Sequence, residues 1–445
     1  MMNGSLPSSV EEQDTTSVYG TSAGKITAII VGVCIILAGI TGAIIGTWMK
    51  EAIDSNGGIT KEEFEKSWPG GCEEYLLQGN ADNFQICQDF WWPNSTFVVD
   101  DIETLSNFGY RKIDTVAHAN AGDFIEFRFN DLGYEVEVQE FTTELCDDCR
   151  NYIATMEGQN PDSWIVVGGH YDAICYSQQI VIGIEYPGCT SEGAYDDATG
   201  TASVLELARL MMEWQSFLSE WQSIQGTPQI DIRPTHTWKF AVWDYEEWQG
   251  SGSPEGAGYG SETFVTTLPE DVEIATYINL DMYGLNWPVE TQLASQLSGC
   301  DEDYFHLYLF TSPVNDWSYY EDREVNVTDE MREQAVALQD RLRMVLYEQL
   351  EYPTEWVMVL DDTKGNSDHY NFISRGWPAT WFRGMHEFLQ EEGDTCEQSP
   401  KHAPTDRVDV LYSLAGGRED LEAGMQTGLD ALALLMWFDI TEKSN

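Results

Sequence analysis

The chain has 445 residues, of which 42% are hydrophobic. That is enough to bury a sizeable core and excludes an intrinsically disordered protein. Asp and Glu total 76 against 22 Lys and Arg, a formal net charge of −54; such a surface excludes nucleic acid as a partner, attracts cations, and suits a salt-rich medium that screens its self-repulsion.

In chain order, residues 1–25 form a short tail whose Glu11, Glu12 and Asp14 do not match the basic start of a cleaved signal peptide. Residues 26–48 (ITAIIVGVCIILAGITGAIIGTW) carry no charge and sit between Lys25 and Lys50. A helix rising about 1.5 Å per residue over this run crosses a hydrocarbon core of about 30 Å, so it reads as a single transmembrane signal anchor. Gly42 and Gly46 form a GxxxG pair through which two chains can pack as a homodimer, although glycine is common in membrane helices without that role. Residues 49–100 read as a polar juxtamembrane stalk and residues 101–445 as the globular part.

Lys50, Lys61 and Lys66 beyond the span favour a cytoplasmic globular part by charge counting. Against that, every cysteine other than Cys34 lies beyond the span, and Cys72 with Cys87, like Cys175 with Cys189, brackets a local loop. Asn94-Ser-Thr and Asn326-Val-Thr are glycosylation acceptors in a lumenal setting. Paired cysteines indicate an oxidising compartment, and large domains translocate with little regard to flanking charge. The globular part is therefore expected outside the cytoplasm.

From about residue 100 strands and helices alternate. Phe124–Leu132 predicts a helix, Tyr134–Phe141 a half-exposed strand, and Asn151–Met156 its neighbour. SWIVVGGHYD, residues 163–172, is the apolar run of a strand buried on both faces. Ala198–Trp214 is a helix with Leu205, Ala208 and Met212 on one face. A strand from Phe240, another over Glu273–Asp281, a helix over Met331–Gln349, short strands at Trp356–Leu360 and Ala379–Phe382, and a closing helix over Leu421–Phe438 complete the pattern. The alternation predicts a three-layer α/β sandwich: a central, mostly parallel mixed β-sheet flanked by helices.

Three buried strands end on residue types that bind metals: Gly-Gly-His170-Tyr-Asp172, Asp244-Tyr-Glu246-Glu247 and Asn279-Leu-Asp281. Asp196 and Asp197 stand at the mouth of a helix between the first two. In open α/β sheets the carboxyl ends of strands line one crevice, so His170, Asp196, Glu246, Glu247 and Asp281 are expected to converge. Each has an ordinary reading alone. A strand-end histidine is usually a satisfied core residue, an Asp pair before a helix usually caps it, and paired glutamates in so acidic a chain usually lie in a solvated turn. Together, one imidazole and four carboxylates on one sheet edge repel unless a cation joins them. A divalent metal supplies that charge and two supply it better; imidazole with carboxylate oxygen suits Zn2+. A second histidine is needed, and spacing does not choose between His369 in GNSDHYNF and His402 in KHAPTDRVD.

HYD, DDATG, the strand ending in Glu-Glu before WQGSGS, NLDMYG, SDHYNF and HAPTDRVD resemble, in order, the motif set of the zinc aminopeptidase family. That family includes bacterial co-catalytic aminopeptidases, glutamate carboxypeptidase and, more distantly, glutaminyl cyclase. The resemblance covers about residues 100–440 and implies two Zn2+ per chain. It implies His170 and Asp281 on one zinc, Glu247 and His402 on the other, and Asp196 bridging them. Asp172, with Asp197, would orient the ligands. Glu246, on a backbone that turns at the strand end, would be the general base. Asp368 and His369 would line the site without binding metal.

Ala403 replaces the family's Thr, and SGSPEGAGYG lengthens the link after Glu247. The Cys175–Cys189 segment interrupts the first two ligands as a clamped flap or a structural staple, and Cys146-Asp-Asp-Cys149 is read as a loop disulfide rather than half a zinc site. The function expected is a membrane-anchored ectopeptidase acting on peptides. Aminopeptidase ranks above carboxypeptidase because an acidic rim suits a protonated amine. Glutaminyl cyclase, with one zinc, and a non-catalytic receptor-like ectodomain are the rivals.

Overall fold

The computed structural model describes residues 92–175, 189–225, 233–247, 258–285, 307–354, 357–362, 365–384 and 400–441. The anchor at 26–48, with Gly42 and Gly46, the stalk as far as residue 91, with Cys72 and Cys87, and most of the glycine-rich run after Glu247 lie outside these residues. Among the described residues, no helix is long and apolar enough to cross a membrane.

Eight strands form one mixed sheet: β1 Glu137–Phe141, β2 Cys149–Met156, β3 Asn160–His170, β4 His236–Trp243, β5 Glu273–Leu280, β6 Leu307–Thr311, β7 Val357–Asp361 and β8 Ala379–Arg383. Their spatial order is β1-β2-β4-β3-β5-β8-β6-β7. The central four, β4, β3, β5 and β8, are parallel to one another. β2 runs antiparallel to β4, and β6 antiparallel to β8.

The continuous apolar runs have a direct cause: the sheet is buried on both faces. Side chains alternate across it, so Val167, Phe240, Val242 and Ile278 face one side, where they pack with residues of helices α1 (Ser95–Asn107), α3 (Ala198–Gln225) and α9 (Arg418–Thr441). Val166, Ala241, Trp243 and Tyr277 face the other, with Phe264, Ala335 and Phe372 from helices α4 (Tyr259–Thr266), α6 (Asp329–Arg343) and α7 (His369–Ile373). This is the three-layer arrangement expected from the alternation.

Helix boundaries follow caps that hydrophobic periodicity does not show. Thr115 accepts a bond from the His118 amide, so the helix expected from Phe124 already starts at Val116 and runs as α2 to Asp131. Asn94 caps α1, whose Val98, Val99, Ile102 and Leu105 are fully buried. The packed fold therefore begins within the stretch read as stalk, before residue 101. α6 is capped by Thr328 and passes at Met344 into a π-helical turn that ends at Gln349.

The start of α3 meets the ends of strands β3 and β5 at unusually short range. A Cβ on Gly200 would stand 1.9 Å from the Leu280 carbonyl oxygen, and one on Gly169 2.8 Å from the same atom. Small residues here let the helix N-terminus approach the strand ends that carry the site. Gly200→Ala is expected to cost about 1–3 kcal/mol through overpacking, read as a lower melting temperature; an unchanged melt would show that the contact relaxes freely.

Candidate metal centre

The parallel register sets the site. His170 pairs with Trp243 across β3–β4 and Gly168 with Asn279 across β3–β5, so His170, Asp244 and Asp281 leave the sheet along one edge. Past β4 the backbone turns at Tyr245, with φ 57°. Asp172 holds that turn: its Oδ1 accepts the Glu246 amide at 3.0 Å and its Oδ2 the Glu247 amide at 3.1 Å. Two adjacent glutamates are thereby aimed at one crevice.

The His170 ring has its Nδ1 3.2 Å from the Asp172 carbonyl oxygen and 3.4 Å from Asp172 Oδ1, which leaves Nε2 for the crevice. There Nε2 lies 3.1 Å from Asp196 Oδ1 and 3.9 Å from Asp281 Oδ1. On the other side His402 Nε2 is 3.0 Å from both Asp196 Oδ2 and Glu247 Oε2. Two donor sets result, His170–Asp196–Asp281 and Asp196–Glu247–His402, each with its donor atoms within 4.8 Å of one another. Asp196 belongs to both.

The Asp196–Asp197 pair divides its work. Asp197 takes the capping role: Oδ1 accepts from the Gly200 amide at 2.8 Å, the Thr199 hydroxyl at 3.1 Å and the Met282 amide at 3.2 Å, and Oδ2 accepts from the His170 amide at 3.2 Å. Asp196 is free of that duty and faces the crevice. Its backbone is gripped by Asp406, whose two oxygens accept the Tyr195 amide at 2.6 Å and the Asp196 amide at 3.2 Å. Ser367 donates to Asp281 Oδ2 at 2.7 Å.

Electrostatics mark the cluster as incomplete without a cation. Burial pushes the Glu246 carboxyl well above the carboxylate range despite His170, and Glu247 and Asp368 add to the rise. Burial likewise takes Glu247 up to about 7 against the pull of His402. Burial alone would lower His402, yet Glu247 and Asp196 lift it to about 10. Four buried atoms, His170 Nε2, Asp196 Oδ2, Glu247 Oε1 and Asp281 Oδ1, make no well-aligned hydrogen bond, His170 Nε2 and Asp196 Oδ2 having only the short imidazole–carboxylate contacts given above. An unmade bond at one buried polar atom costs about 1–3 kcal/mol, and these four all face the same crevice. Two imidazole nitrogens and carboxylate oxygens in this arrangement fit a pair of zinc ions.

The choice between the two candidate histidines is visible in the geometry. His402 stands in the cluster. His369 lies behind it: Nε2 is 3.1 Å from Asp362 Oδ2, and the ring stacks on Trp381, whose indole N–H donates to the Asp281 carbonyl at 3.1 Å. Asp368 comes closer. A Cβ on Gly258 would meet Asp368 Oδ1 at 2.5 Å and Glu246 Cα at 2.9 Å, so only a glycine separates them. Cys146–Cys149 is a disulfide, as is Cys175–Cys189; residues 176–188 between the latter pair lie outside the described residues. Asp406, within HAPTDRVD, and Ser367, within SDHYNF, do site work that the sequence reading overlooked. Ser367 is next to Asp368, and Asp406 lies four residues after His402.

Residues 151–415 match the sequence pattern of peptidase family M28, more than half of the chain, and the chain belongs to that family. It is 27% identical over 236 residues to a glutamate carboxypeptidase 2 homolog of Caenorhabditis elegans, covering 51% of this chain and 22% of that protein. It is 25% identical over 175 residues to leupeptin-inactivating enzyme 1 of Streptomyces exfoliatus, covering 38% and 31%. The chain thus aligns with less than a third of the length of either relative. The fold resembles a glutaminyl cyclase of Bacteroides thetaiotaomicron, solved with N-acetylhistamine (TM-score 0.51, 16% identity, 77% of this chain and 98% of that one). It also resembles a Zn-dependent exopeptidase from Parabacteroides distasonis (TM-score 0.50, 18% identity, 76% and 98%).

A pH dependence follows for protein kept free of metal by chelator. Glu247 and His402 both bind a proton more tightly when folded than when unfolded, so the folded state holds more protons and stability falls as pH rises. The Glu247 contribution is lost between the ordinary carboxylate value and about 7; that of His402 is complete below its ordinary value and lost as pH rises through about 10. Chelated protein should therefore melt at a lower temperature at pH 8 than at pH 5, and saturating zinc should erase the difference. A melt that rises with pH under chelation would contradict this.

Proposed function

We propose that the chain is a zinc-dependent exopeptidase, specifically a membrane-anchored aminopeptidase whose catalytic part lies outside the cytoplasm. The observation that carries the metal reading is the placement of Asp196, with one carboxylate oxygen 3.1 Å from His170 Nε2 and the other 3.0 Å from His402 Nε2. A carboxylate split in this way between two imidazoles suits a bridge between two cations. His170 and Asp281 would hold one zinc and Glu247 and His402 the other. When bound, zinc supplies Lewis acidity that lets water ionise near neutral pH and polarises a carbonyl.

The residues divide the remaining work. Glu246 belongs to neither donor set, and its side chain is 13% exposed where those of Asp196, Asp281 and Glu247 are nearly sealed. It takes the proton of the attacking water at its carboxylate and delivers it to the leaving amine nitrogen. Asp172 fixes Glu246 and Glu247 together through their amides, so base and ligand keep one spacing. The raised proton affinity of Glu246 follows from burial and from neighbouring carboxylates, and is the property that a group cycling between base and acid needs. The acidic crevice, with buried Asp368 bordering Glu246, favours a cationic α-amine over a carboxylate terminus.

Glu246→Gln is expected to lower hydrolysis of amino-acid p-nitroanilides by about 10²–10⁴-fold, with zinc content by elemental analysis unchanged. Loss of zinc in this variant would make Glu246 a ligand and exchange its role with that of Glu247. A panel of free and N-acetylated peptides, including peptides with N-terminal glutamine, separates the chemistries. Release of the first residue from free peptides alone is the expected outcome. Release of C-terminal residues from blocked peptides would show a carboxypeptidase, and ammonia release without chain shortening a glutaminyl cyclase.

A further inference from the structure

Arg111 lies outside the residues matched to the family, in the connection between α1 and α2, and its side chain is completely buried. Its guanidinium donates to the Tyr171 carbonyl at 2.7 Å, the Gly193 carbonyl at 2.8 Å, the Glu192 carbonyl, and the Leu105 carbonyl at 3.5 Å. Tyr171 stands between His170 and Asp172; Glu192 and Gly193 open the turn that leads to Asp196. The backbone of the same residue receives the Ala173 amide at 3.1 Å, and the neighbouring Tyr110 hydroxyl receives the Cys175 amide at 3.0 Å. The carboxylates whose charge acts on the guanidinium are Asp406, Asp197, Asp172 and Asp196.

Two physical features set this arginine apart. A buried guanidinium normally pairs with a carboxylate, as Arg209 does with Glu206 at 2.7 Å on α3. The hydrogen bonds of Arg111 all end on backbone carbonyls, so it adds positive charge among four aspartates without occupying a carboxylate oxygen. Its planar fork also spans two chain segments at once, something a lysine cannot reproduce. One segment bears His170 and Asp172 and the other bears Asp196. Gly193, at φ +60°, would place a Cβ 2.8 Å from the guanidinium, so that turn is shaped to the arginine.

We propose that Arg111 is a positioning residue for the metal centre: it locks the His170–Asp172 exit and the Asp196 turn to each other, and offsets their negative charge while leaving every ligand oxygen available. The segment ahead of the family-matched residues is then part of the working site. The proposal rests on the metal reading above and deepens it.

The test uses the full-length chain with Arg111→Met, Arg111→Lys and, as a control far from the site, Arg209→Met. The readouts are zinc affinity by chelator competition, the visible absorption of the cobalt-substituted protein, and the melting temperature. Arg111→Met is expected to weaken zinc binding at least tenfold and to alter the cobalt bands; Arg111→Lys should fall between it and the wild type. Arg209→Met should lower the melting temperature while leaving both metal readouts unchanged. A folded Arg111→Met protein with wild-type affinity and cobalt spectrum overturns the proposal, as does an equal metal loss in Arg209→Met. If Arg111→Met fails to fold, Arg111→Lys decides, and unchanged metal readouts there overturn the proposal. Wild-type protein that binds no zinc would sink the metal reading itself, a result distinct from all of these.

Discussion

Like charges packed together in a dry crevice are the constraint to which the rest of this molecule answers. Asp196, Glu246, Glu247 and Asp281 share a space with His170 and His402; Asp196, Glu247, Asp281 and His170 are deeply buried, Glu246 and His402 less so. In a medium of low effective dielectric such groups cannot all be ionised without cations, and protons alone satisfy them poorly. The upward displacement of Glu246 and Glu247, and the four crevice-facing atoms without well-aligned hydrogen bonds, are two expressions of that conflict. The proposed pair of dications would resolve it by supplying charge and by giving those atoms a partner.

The scaffold keeps the crowd in place with a second group of carboxylates that never enter the crevice. Asp172 binds the amides of Glu246 and Glu247, Asp197 the amides of His170, Gly200 and Met282, and Asp406 those of Tyr195 and Asp196. Each uses its oxygens on backbone N–H groups of a neighbouring segment that lines the crevice. The strand ends supply position, these aspartates supply aim, and the parallel register of β4, β3 and β5 brings the contributions to one edge. Acidity in this chain therefore has two uses inside the fold, and residue type alone does not tell them apart.

Much of this was legible in the sequence, for identifiable reasons. Strands buried on both faces leave continuous apolar runs, so β3, β4 and β5 could be placed, and the residues at their carboxyl ends followed. The Asp196–Asp197 pair carried both an ordinary reading and a functional one; the structure gives the cap to Asp197 and the crevice to Asp196. His402 over His369 came from the family resemblance, since the spacing of the two loops held no information on which turned inward. Arg111 left no signal, because its partners are backbone carbonyls, which any sequence provides. The start of the packed fold at α1, ahead of residue 101, was hidden because its apolar positions Val98, Val99 and Ile102 follow a tryptophan- and asparagine-rich stretch that reads as loop. The short helices α4, α5 (Ser318–Glu321), α7 and α8 (Val408–Ala415) are too brief for periodicity to register, and β6, although no shorter than β7 and β8, was also missed.

The most direct test is anomalous diffraction from crystals of the zinc-loaded protein, recorded on either side of the zinc absorption edge. The account predicts two peaks in the crevice, one in contact with His170 and Asp281, the other with Glu247 and His402, and Asp196 touching both. An empty crevice, or a metal held by His369 in place of His402, would contradict it.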